Sequence, residues 1–144
     1  MAITTLCGCT ARGRLLGGNL AVLTSMTGSP YRPDFSGVIL LLEVVNEYIC
    51  RVDRMLITLK LAGVLDCLNG ALLVAVTKCE PGEGRYGTLT LNEVFDDYFK
   101  PLKVPVYSGA LFGHIKRKFT PPLGLEVEID ADAGTIRTLQ PAVL

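Results

Sequence analysis

Residues 37–45 read GVILLLEVV. A leucine, isoleucine and valine run without alternation fits a strand only when both of its faces are covered. The chain must therefore place layers on either side of a sheet. A second run, GALLVAVTKC over 70–79, makes the same demand. Neither approaches the roughly 20 apolar residues needed to cross a bilayer, so no membrane partner is expected. With 144 residues the chain suits one domain with a real core. A mean hydropathy of +0.40 is high for such a domain and implies that one face packs on another domain or subunit.

The rest of the pattern alternates strands with helices. Gly17-Gly18-Asn19 predicts a glycine turn with Asn19 as N-cap, a helix over about 20–27 and a stop at Gly28, followed by the loop SPYRPDFSG. Ile49, Val52, Leu56 and Leu59 keep helical spacing, which predicts an amphipathic helix over about 47–62, with Asn46 as its cap and a Glu47–Arg51 pair on its surface. After the loop EPGEGRYG, Thr90-Leu91-Asn92-Glu93 is a capping box opening a helix that Pro101 ends. VPVYSG is a short strand. LEVEID and TIRTL flank Asp130-Ala-Asp-Ala-Gly134 as a β-hairpin. The expected class is α/β: a mixed sheet with flanking helices and a C-terminal hairpin.

Charge narrows the partners. The formal net charge is zero, and the largest basic cluster is Lys116-Arg117-Lys118, which reads as a solvated loop. Nucleic acid and anionic membranes are therefore not expected. Five cysteines (Cys7, Cys9, Cys50, Cys67, Cys79) form no CxxC or Cys/His zinc spacing, which fits reduced thiols in a reducing compartment. Cys7-Gly-Cys9 alone leaves a metal or redox protein open. No acidic residue precedes Asp34, a bias shared with organelle transit peptides, but no apolar leader stretch predicts secretion.

Two residues carry chemistry. Glu43 follows five apolar residues, and burying a carboxylate is costly without a partner. It lies near the carboxyl end of a strand, where α/β folds place ligand groups, although the strand could surface there or Glu43 could pair with Arg51 or Arg54. His114, the only histidine, falls in a loop and could be merely solvated. If the two meet, the carboxylate fixes the tautomer and the second ring nitrogen can serve as general base. A nucleophile is harder to find. Ser25, Ser29, Ser36 and Ser108 are the only serines and none sits in a GxSxG elbow, while no motif supports a cysteine nucleophile.

The ordered segments GRLLGGNL (13–20), GVILLLE (37–43), YICRVDRML (48–56), FGH (112–114) and TPPLG (120–124) resemble the serine LD-carboxypeptidases, which include muramoyltetrapeptide carboxypeptidase and the microcin C self-immunity peptidases. The resemblance covers the C-terminal domain of that family, of swivelling β/β/α type, over about 13–144, and leaves 1–12 as an extension or linker. It implies a Ser-Glu-His triad in which Glu43 orients His114 as base, while the serine belongs to an N-terminal nucleophile domain that this chain lacks. It further implies a peptide substrate with a C-terminal D-amino acid, no metal or cofactor, a homodimer, and a cytoplasmic location. Val44 stands where the family commonly has Asp, Asn46 where it has Gly, and Pro121 where it has Leu. The alternative reading is a non-catalytic binding or assembly module built on the same domain.

Overall fold

Residues Ile39–Glu43 form the central strand of the molecule. In the computed structural model, which describes residues 2–74, 78–81 and 89–143, the strands are β1 (Thr4–Cys7), β2 (Thr10–Asn19), β3 (Ile39–Glu43), β4 (Gly70–Val74), β5 (Val106–Ala110), β6 (Glu126–Asp130) and β7 (Thr135–Thr138). The helices are α1 (Leu20–Ser25), α2 (Ile49–Leu61) and α3 (Leu91–Phe99). Seven strands make one mixed sheet in the order β1-β5-β4-β3-β2-β6-β7. Its middle, β5-β4-β3-β2, is parallel, and antiparallel pairs extend it on both sides.

The unalternating run of β3 has the two-sided cover it requires. Leu40 and Leu42 point into one core with Val52, Leu56, Leu59, Phe95 and Phe99 from the helices. Ile39 and Leu41 point into a second core with Leu15, Leu72, Tyr107, Val127 and Ile129, contributed by strands. No described helix covers that second face. The sheet itself does so by curling, which brings β1 to the hairpin end of the sheet: Thr5 Oγ1 donates to Ala131 O at 2.8 Å, although β1 and β6 lie far apart in strand order.

Local sequence signals account for most boundaries. Asn19 Oδ1 accepts from the backbone N–H groups of Ala21 and Val22, capping α1 as expected. Thr90 and Glu93 form the reciprocal capping box of α3. The Glu47–Arg51 pair is present at 3.6 Å. Tyr98 ties α3 to α2 by donating its hydroxyl to Asp53 Oδ1 at 2.7 Å, and burial followed by this bond pushes its phenol up to about 12.

Several expectations need correction. Residues before 13 join the sheet: β1 pairs with β5 through Thr4↔Ser108 and Thr5↔Tyr107, and Thr10 opens β2. Gly17-Gly18 is not a turn but the end of β2. Gly17 is needed there because a β-carbon would overlap the Leu41 carbonyl oxygen of the neighbouring strand. α1 ends at Ser25 with Met26 as C-cap, short of Gly28. Tyr48, not Asn46, is the N-cap of α2, since Asn46 adopts a left-handed φ of 57° before the helix begins. α3 ends at Phe99, as expected from Pro101, which itself lies inside a 3₁₀ turn, Lys100–Leu102, that Lys103 closes in the left-handed region. The strand expected over 70–79 is β4 as far as Val74; residues 75–77 and 82–88, with most of the expected 80–87 loop, lie outside the described residues.

The interior of the curl is a packed core, and Leu72, fully buried on β4 between Leu41 and Tyr107, tests it. Leu72→Ala is expected to cost about 2–5 kcal/mol in chemical denaturation. A loss under about 1 kcal/mol would mean that this face is not sealed.

Candidate functional site

Glu43 is the last residue of β3, at the carboxyl edge of the parallel strands. The apolar residues before it hold its backbone deep in the sheet, and its side chain retains 12% exposure. His114 approaches from the loop after β5. In the sheet β4 lies between β5 and β3, so this loop has to pass the end of β4, a span of about 10 Å. Phe112 anchors it. The ring is buried in the inner core and meets Phe119 edge-to-face at 5.7 Å, while Phe119 N–H donates to Leu111 O at 2.9 Å. A nine-residue loop, 111–119, is thereby closed at its base.

The structure brings the two sequence-selected residues together. His114 Nδ1 lies 2.6 Å from Glu43 Oε1, and the His114 backbone N–H donates to the same oxygen at 2.8 Å. An ionised carboxylate can only accept, so Nδ1 carries a proton, and in the neutral ring Nε2 is then left with its lone pair. The imidazole is 73% exposed, against 12% for its partner. No described residue bonds to Nε2, and most of the imidazole side chain is open to solvent. Glu43 does not pair with Arg51 or Arg54: Arg51 is held by Glu47 and lies over the Tyr48 ring.

Gly113 was not singled out from the sequence, yet it makes the contact possible. Its φ is 84°, and a β-carbon there would overlap Glu43 Oε1. Only glycine lets the backbone come close enough for one carboxylate oxygen to accept both His114 donors. The FGH string held the signal: an aromatic anchor, a glycine permitting close approach, then the functional side chain.

The four serines are engaged elsewhere. Ser25 Oγ donates to Val22 O, Ser36 Oγ to Asp34 Oδ1 and Ser108 Oγ to Thr4 O, and Ser29 Oγ accepts from Tyr31 N–H. None bonds to His114. An open cleft of about 530 Å³ is lined by Asn46, Glu47, Tyr48, Arg51, Lys78 and Glu80, and neither Glu43 nor His114 lines it. Two of these, Asn46 and Lys78, hold left-handed backbone conformations, which concentrate at ligand sites in other proteins. Cys7 is half-buried and Cys9 exposed, and no three described His, Cys, Asp or Glu residues are grouped to hold a metal ion.

Comparison with known proteins relates the chain to one family. The family model described as the LD-carboxypeptidase C-terminal domain matches residues 12–129. The "Probable murein peptide carboxypeptidase" of Bacillus subtilis is 34% identical over 120 residues, covering 83% of this chain and 37% of its own length. The microcin C7 self-immunity protein MccF of Escherichia coli is 33% identical over 128 residues, covering 83% and 34%. A structure of MccF with glutamyl sulfamoyl guanosine aligns with a TM-score of 0.84 at 26% identity, covering 99% of this chain and 42% of that one. Muramoyltetrapeptide carboxypeptidase from Oxalobacter formigenes aligns with a TM-score of 0.74 at 30% identity, covering 94% and 48%. The chain spans about two fifths of the length of the curated relatives it matches.

Gly113→Ala combines a strained φ with a steric overlap on the carboxylate. It is expected to cost on the order of 1–3 kcal/mol in chemical denaturation. A neutral result would show that the loop does not need this close approach.

Proposed function

The chain belongs to the LD-carboxypeptidase C-terminal domain family, and we propose that it supplies the base and its orienting acid to a serine-type peptidase. The observation that carries this reading is the Glu43–His114 contact at 2.6 Å, with the opposite face of the ring open. The nucleophile comes from a second domain. Support for that division lies in the four local serine contacts and in the fraction of each relative that this chain spans.

In the proposed reaction a serine Oγ–H faces His114 Nε2. The oxygen attacks the scissile carbonyl carbon as Nε2 takes its proton, and Glu43 stabilises the imidazolium that results. Collapse of the tetrahedral intermediate breaks the C–N bond, and Nε2 returns the proton to the leaving amine. Water then repeats the sequence on the acyl-enzyme and frees the serine. The substrate is a peptide ending in a D-amino acid, a class suggested by the murein peptide and muramoyltetrapeptide names of similar proteins. Recycling of peptidoglycan in the cytoplasm fits that substrate. Among the described residues no helix is long and apolar enough to cross a membrane.

The division of the triad makes a two-part expectation. Purified alone, the chain should release no D-alanine from L-Ala-D-Glu-meso-diaminopimelate-D-Ala. With the nucleophile-bearing domain present, turnover should appear, and His114→Ala should cost on the order of 10⁴-fold or more in kcat, with Glu43→Gln also severe. Robust turnover by the chain alone, or a His114→Ala protein with unchanged kcat, would refute the reading.

A further inference from the structure

The loop that delivers His114 carries a second feature, and it rests on the proposed reaction. Lys116, Arg117 and Lys118 follow the imidazole directly, and all three are exposed. None forms an ion pair with a described acidic residue. Several other cations of the molecule are held: Arg12 and Arg137 by Glu128, Lys100 by Asp96, Arg51 by Glu47, while Arg14 and Arg32 donate to backbone carbonyls. Arg54, Lys78 and Lys103 are also without an ion pair among the described residues, but they are scattered and not clustered on one loop. In a chain of zero net charge, three free positive charges on one loop tip are a local asymmetry.

Their placement is fixed by the residues around them. Phe112 is buried and meets Phe119 at the base of the loop, and Ile115 packs against the inner core, so the loop is anchored on both sides of the imidazole. Consecutive Cα atoms are 3.8 Å apart, which keeps the Cα atoms of the three residues within about 8–15 Å of that of His114. That is one to two screening lengths at physiological salt, where the Debye length is about 8 Å. Glu43 is mostly buried and committed to the imidazole. The loop tip that follows the imidazole is therefore net positive toward solvent.

We propose that Lys116, Arg117 and Lys118 form a steering surface that draws a polyanionic peptide substrate, one with its free C-terminal carboxylate and at least one further carboxylate, onto the His114 face. Clefts rimmed by one sign of charge raise the encounter rate of oppositely charged ligands, and salt removes the gain. A patch of three charges is too small to hold nucleic acid without a longer basic track, and a peptide with two or three carboxylates matches its size.

The test is made on the protein with its nucleophile-bearing domain present. The kcat/KM of wild type and of the Lys116→Gln, Arg117→Gln, Lys118→Gln variant is measured from about 20 mM to 500 mM salt. The substrates are L-Ala-D-Glu-meso-diaminopimelate-D-Ala and the same peptide with its side carboxylates amidated. For the anionic peptide, wild-type kcat/KM should fall about 10-fold across this range, on the order expected for steering. The variant should start several-fold lower and show a flatter slope, with the loss in kcat/KM and not in kcat. The amidated peptide should respond weakly to both salt and substitution. Equal salt slopes for wild type and variant, with turnover intact, would overturn the steering surface and leave the proposed chemistry standing. Absence of wild-type turnover at every salt concentration would overturn both.

Discussion

A carboxylate at the end of a strand buried on both faces has few choices. Leu40 and Leu42 lock β3 against the helices and Ile39 and Leu41 lock it against the inside of the curled sheet. Glu43 therefore cannot retreat, and its nearly buried charge must be answered locally. The answer comes from the next strand but one, where Phe112 plugs the inner core and Gly113 removes the side chain that would block the approach. One oxygen then accepts both a backbone N–H and Nδ1 of His114. The packing that stabilises the sheet and the geometry that orients the ring are the same set of contacts.

Two-sided burial also accounts for the high hydropathy. From composition alone the apolar surplus suggested a face covered by another domain or subunit. Much of it goes into two separate cores, one roofed by helices and one enclosed by the sheet. Exposed apolar side chains remain, among them Val22 and Leu61 on the helix side and Leu123 in the segment after the His114 loop.

What could be read from the residues was what local chemistry determines. The apolar runs, the Asn19 cap, the Thr90–Glu93 box and the hairpin around Asp130–Gly134 each depend on a few neighbouring side chains, and each is present. β1 and β2 were missed because their inward positions are not conspicuously apolar. Gly13 stands at a buried position of β2 where a β-carbon would overlap the Gly37 carbonyl, so a close approach of backbones replaced the hydrophobic alternation that marks a strand. Glu43 and His114 were each ambiguous alone, separated by 71 positions, and only their resemblance to a known pattern joined them before the structure did. The role of Gly113 depends on a contact between distant segments, which local spacing cannot reveal.

The central claim is that Glu43 sets the imidazole of His114 with Nδ1 protonated and Nε2 bare. Because the chain has one histidine, nitrogen-15 NMR of a labelled sample reads that ring without ambiguity. With the ring neutral, the account predicts a dominant Nδ1–H tautomer that gives way to a mixed population in Glu43→Ala. A dominant Nε2–H form, as imidazole side chains adopt in water, or ring signals indifferent to loss of the carboxylate, would contradict it.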